Sequence, residues 1–140
     1  MTSRERLLRP AALRREVARR RERIETLRHF AASVSHRLKD VQVRVSPDPG
    51  RIQAFLDEAA DEEAEIRRLE KEIAEAEAET AMILSRLPDR RLALLLEYRY
   101  LDGLDWPEVA RRIHHSLSWT YKMHLQALAM LPDRSGPELK

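Results

Sequence analysis

Five side chains near the end of the sequence have types and spacing that suit one job. Ser118, Trp119, Tyr121, Lys122 and Gln126 fall on one side of a helical wheel. A small hydroxyl, an amide, two aromatic rings and an ammonium can meet phosphates and the edges of bases. That is recognition chemistry, in which no covalent bond changes. Three histidines lie close by, His114, His115 and His124, but no carboxylate or thiolate completes a metal set at helical spacing. His29 and His36 stand seven apart on an earlier helix, as surface or seam residues. Acidic pairs such as Glu62 and Glu63 sit on a solvated helix, with no pocket to raise a pKa. Three glycines leave no glycine-rich phosphate loop, and the absence of cysteine removes disulfides and thiolate zinc sites. The expectation is a non-enzyme with no catalytic residue, metal or cofactor.

The residues around this set supply the elements to hold it. Asp105 can cap a helix in which Pro107 is tolerated in the first turn. Val109 and Ile113 face a core, and Ala110 is small enough for a close helix crossing. Four residues later the chain must turn with a positive φ, at His114, a residue type that reaches the left-handed region more readily than most. Ser116 then caps a second helix, with Thr120, Met123, Ala127, Leu128 and Leu131 on its inner face. Two short capped helices with an exposed polar and aromatic face predict a helix-turn-helix rather than a corner inside a bundle.

Upstream, apolar residues recur in alternating steps of three and four at Leu13, Val17, Ile24, Leu27, Ala31, Val34, Leu38 and Val41, broken at Arg20. The same spacing holds from Ile52 to Leu87, broken at Glu62 and Thr80. This repeat predicts two coiled-coil helices, about 11–43 and 50–87. "SPDPG" (Ser46 to Gly50) separates them and "LPDRR" (Leu87 to Arg91) ends the second. Leu92, Leu95, Leu96 and Tyr100 mark a further short helix, and Gly103 the turn after it. Charge is segregated: residues 1–44 hold 13 basic and 5 acidic side chains, whereas residues 45–89 hold 5 basic and 13 acidic. Opposite charges beside a shared seam favour antiparallel pairing, within one chain or across a homodimer. "RREVARRRERIETLR" is then a solvated or partner-paired face; direct nucleic-acid binding by this arginine run is the alternative.

Composition agrees with a helical protein: 36% of the 140 residues are charged and 5% aromatic. No apolar run approaches the ~18 residues that would span a bilayer. No unbroken apolar stretch follows the basic N-terminus, so the expectation is a cytoplasmic chain without a membrane partner.

"YRYLDGLDWPEVARRIHHSLSWTYKMHLQAL" resembles the region-4 helix-turn-helix of sigma factors. More closely, it resembles small phage and prophage regulators of the RinA and ArpU kind, in which such a domain follows a helical N-terminal half. The likeness extends upstream through a "V-x-V-x-x-S-P" turn (Val41 to Pro47) and an acidic helix. It implies that Tyr100, Trp106, Val109, Ala110 and Ile113 are core and that Ser116 opens the recognition helix. It also places Ser118, Trp119 and Lys122 where relatives meet DNA, and His124 at a packing or phosphate-contact position. The sequence departs from that pattern at His114, where a glycine is usual, and at Thr120, where an aliphatic residue is usual.

The combined expectation is an all-α protein with a helical hairpin or coiled coil (1–88), a helix-turn-helix domain (89–132) and a tail (133–140). The candidate DNA-binding residues are Ser116, Ser118, Trp119, Tyr121, Lys122, Gln126, Arg111 and Arg112. The implied partners are double-stranded DNA, RNA polymerase as for sigma region 4, and a second copy through the coiled coil. The implied job is phage or prophage transcription regulation. Rival readings are a small-terminase-like packaging protein and a helical protein–protein adaptor.

Overall fold

A computed structural model describes residues 1–40 and 49–132, with side chains for 1–34 and 50–132. The turn motif at 41–48, the side chains of His36 and Leu38, and the 133–140 tail lie outside the described residues. The fold is all-α: α1 (Ser3–Asp40), α2 (Pro49–Leu84), α3 (Arg90–Tyr100), α4 (Trp106–Ile113) and α5 (Leu117–Ala129), with no strand among the described residues. Among them, too, no helix is long and apolar enough to cross a membrane. The chain divides into two compact units. One is Arg14–Lys71; the other joins Met1–Leu13 to the chain from Glu72 onward.

In the Arg14–Lys71 unit, α1 and α2 of the same chain pair antiparallel. Val17, Ile24, Leu27 and Ala31 are buried on one side and Ala59, Ile66 and Leu69 on the other, following the expected seam. Phe30 meets Phe55 with ring centroids 5.6 Å apart. The two polar breaks in the repeat, Arg20 and Glu62, face each other across the seam at 2.8 Å. Glu16 holds the same guanidinium from its own helix, at 3.0 Å. These arginine contacts, with Arg23 also on Glu62, keep the Glu62 carboxyl below its usual range. Arg21 reaches Glu70 at 2.7 Å, and Arg28 pairs with Glu63. The segregated charges therefore serve pairing along this hairpin.

In the other unit α1 departs from the expected start near residue 11. It begins at Ser3, because "TSRE" forms a reciprocal capping box. Thr2 Oγ1 accepts from the Glu5 N–H at 3.1 Å, and a Glu5 carboxylate oxygen accepts from the Thr2 N–H at 2.6 Å. Pro10 then lies inside the helix, fully buried. A proline there removes the N–H that would bond the carbonyl four residues back, at Arg6. The hydroxyl of Thr80, wholly buried on α2, donates to that carbonyl at 3.4 Å. Thr80, the second break in the α2 repeat, thus meets the backbone gap that Pro10 opens. The early start lets Leu7, 1% exposed, join Ile83, Leu84, Leu87, Leu92, Leu95, Leu96, Val109, Ala127 and Leu131 in one apolar core. Ser3 Oγ donates to the carbonyl of Pro132 at the far end of that chain segment. Arg6–Glu79 and Arg9–Glu72 ion pairs flank the packed helices.

At its near end α2 opens with Pro49 and Gly50 in its first turn, where a proline's missing N–H has no intrahelical partner. At its far end it stops at Leu84, short of the expected 87, and Asp89 caps α3 by accepting from the Arg91 N–H at 2.9 Å. Gly103 makes the following turn at φ +71°, with nothing within 4 Å of where a Cβ would stand. Its backbone angle alone favours glycine there.

Candidate functional site

The corner between α4 and α5 is built as its residue types dictate. Asp105 accepts from the Glu108 N–H at 3.0 Å, and Pro107 occupies the first turn of α4. The helix ends at His114, at φ 62° and ψ 43°, the one positive-φ non-glycine residue among the described residues. Its N–H goes to the Arg111 carbonyl at 3.2 Å, and that of His115 to Ala110 at 3.1 Å. This pair of hydrogen bonds is a Schellman termination, here around histidine instead of glycine. Two residues on, Ser116 Oγ accepts from the Trp119 N–H at 3.1 Å and starts α5. Val109 and Ala110 are buried at the crossing, with Ile113 half-buried.

Thr120 is wholly buried, and its hydroxyl donates to the Ser116 carbonyl at 2.8 Å. Threonine at this core position therefore leaves no unsatisfied donor. Ala127 and Leu131 are buried beside it, and Met123 and Leu128 half-buried. The inner face of α5 is the one read from the spacing.

On the outer face Ser118, Tyr121, Lys122 and Gln126 are exposed, as are Ser116, Arg111 and Arg112 near the corner. Trp119 behaves differently. It is half-buried, with its ring stacked on His115 at 3.6 Å between centroids and 17° between planes. It lines a cleft of about 150 Å³ with Leu92, Leu94, Leu95, Arg112 and Ile113. One face of its ring is therefore occupied within the molecule. Leu125, absent from the sequence-level set, is 67% exposed on the same side as Ser118 and Lys122. A helical wheel would have placed it there; nothing polar drew attention to it.

An aromatic cluster braces α5 along one side. Trp106 packs against His124 at 4.3 Å and edge-on against Tyr121 at 5.6 Å, with the Arg99 guanidinium 4.8 Å from its ring. The Tyr100 hydroxyl lies 2.7 Å from His124 Nε2. Burial, then the charges of Arg99 and Arg4, push the His124 pKa down to about 4. The ring is therefore neutral near pH 7, and the tyrosine hydroxyl can donate to it. His124 is a packing residue here, in line with one of the two roles its position suggested.

Arg111 and Arg112 converge on one acid. Glu108 accepts from Arg111 Nε at 3.0 Å and Arg112 Nε at 2.8 Å, and it pairs a second time with Arg111. These contacts, those to Arg111 first, lower its carboxyl to about 2. No family model, curated protein or solved structure matches the chain.

Proposed function

We propose that the chain is a DNA-binding transcription regulator of the phage or prophage kind, in which α5 enters the major groove of double-stranded DNA. The N-terminal turns of α5 carry Ser118, Trp119 and Tyr121 toward base edges, and Lys122 and Gln126 contact the flanking backbone. Arg111 and Arg112, at the end of α4, add phosphate contacts where the first helix of such a motif crosses the strand. The observation that carries this reading is the left-handed corner at His114 between two capped helices. It sets the direction of α5 while leaving Ser118, Lys122 and Gln126 exposed on its outer face. RNA polymerase is the second partner in this reading, as in sigma region 4.

The test is selection of bound duplexes from a random pool by the purified full chain. Enrichment of a defined sequence, lost on Ser118→Ala or Tyr121→Ala, is the expected result. Recovery of no preferred sequence, or a preference untouched by both changes, overturns the reading of α5.

A further inference from the structure

The shared carboxylate of Glu108 has a consequence for DNA affinity. Arg111 and Arg112 are exposed cations, with 72% and 45% of their side-chain surface accessible. Yet one carboxylate, 29% accessible, holds both through their Nε atoms. A phosphate approaching α4 must take these guanidiniums from Glu108. It must also approach an anion that the same contacts keep charged. With Glu108 ionised the three residues together present a charge of +1; with it neutral they would present +2.

We propose that Glu108 is a built-in competitor of the DNA phosphates for Arg111 and Arg112, and that it sets the affinity and salt dependence of binding. The inference rests on the DNA-binding reading above. Its chemistry is exchange of one anionic acceptor for another, a carboxylate for a phosphodiester oxygen, with no bond made or broken. The device would keep non-specific binding weak, since that binding is almost wholly electrostatic. A correctly placed duplex would overcome it through the contacts of α5.

The experiment compares the full-length chain with E108Q across a salt series, on the selected duplex and on a random duplex of the same length. The glutamine keeps the shape and an acceptor oxygen but removes the charge. Each phosphate neutralised by the protein steepens the dependence of log K on log salt by about 0.9. One further phosphate engaged by the freed arginines therefore predicts a slope steeper by about that amount and binding roughly eight-fold tighter at 0.1 M salt. E108D, which keeps the carboxylate, should stay near the wild-type slope. On an Arg111→Gln/Arg112→Gln background the gain from E108Q should be clearly smaller than in the wild type, because the residue acts chiefly through the two arginines.

Three outcomes overturn the proposal. An unchanged slope in E108Q, with wild-type helicity and melting temperature, leaves DNA binding intact and removes the competition. An equal gain on the arginine-free background assigns the effect to direct repulsion. If neither wild type nor E108Q binds DNA in a salt-sensitive way, the DNA reading itself fails. Should E108Q lose its fold, E108A, which also removes the charge, takes its place, with the same steeper slope expected and the same unchanged slope counting against competition.

Discussion

The hairpin unit and the unit of short helices use different means to choose one structure. In Arg14–Lys71 the buried seam is thin, with alanine at positions 31 and 59, and arginine–glutamate pairs line it. Exposed ion pairs contribute little stability each, but a half-buried pair such as Arg20–Glu62 disfavours registers that leave one partner alone. In the other unit Leu84, Leu92, Leu95, Leu96, Val109 and Ala127 are at most 2% exposed, and caps fix the helix ends. Apolar burial supplies stability there, and local hydrogen bonds supply direction. The contrast teaches that a polar residue in an apolar repeat is a statement about a partner. Arg20 and Glu62 answer each other, Thr80 answers Pro10, and Thr120 answers the carbonyl of its own cap.

The largest effect should come from the core that α1 shares with the short helices. Leu7→Ala removes a side chain that is 1% exposed and should cost about 2–4 kcal/mol in urea unfolding of the full chain. A cost under about 1 kcal/mol would mean that the opening turns of α1 are not part of that core. In the hairpin the comparable change is Glu62→Leu, which leaves Arg20 and Arg23 without their shared acid. It should lower the melting temperature by less than Leu7→Ala does, and the double change Arg20→Leu/Glu62→Leu should recover most of the loss. A double variant less stable than the single one would show that Arg20 is not stranded by the loss of Glu62 and contributes through other contacts, Glu16 first.

Acid should act on the short helices through His124. Its folded pKa, about 4, lies below the ordinary value of 6.5. The unfolded chain therefore binds the extra proton first, and stability falls as pH drops from about 6.5 toward 4. For a ring that is half exposed the loss is on the order of 1 kcal/mol. Unfolding at pH 7 and pH 4.5, with His124→Gln as reference, measures it; equal pH dependence in both proteins would remove His124 as the cause. The smallest effect belongs to the corner. His114→Gly relieves a left-handed residue at φ 62° and should stabilise the chain by up to about 1 kcal/mol. A loss would mean that the imidazole contributes more than its backbone angle costs.

Much of this was legible because it obeys local rules. The 3.5-residue seam, the caps at Asp105 and Ser116 and the left-handed corner all follow from spacing and residue type. The start of α1 was written in "TSRE", but Pro10 masked it, because its compensation comes from Thr80, 70 positions away in sequence. Of the candidate site, the exposure of Ser118, Tyr121, Lys122 and Gln126 followed from helical periodicity. The stacking of Trp119 on His115 did not, since it depends on where the corner aims both rings. Nor did the sharing of Glu108 by two arginines, since several equally spaced acid–base choices exist on any charged helix.

The central claim is that α5, and not the basic face of α1, is the DNA-contacting surface. The most direct measurement is the salt dependence of binding to the selected duplex for wild type, Lys122→Ala and Arg15→Gln/Arg19→Gln, the last pair being exposed on α1. The account predicts that Lys122→Ala weakens binding to every sequence and flattens the slope by about one unit, while the α1 pair leaves it near wild type. Binding that survives Lys122→Ala unchanged and collapses with the α1 pair would contradict it, and would make the helix-turn-helix a protein-contact module.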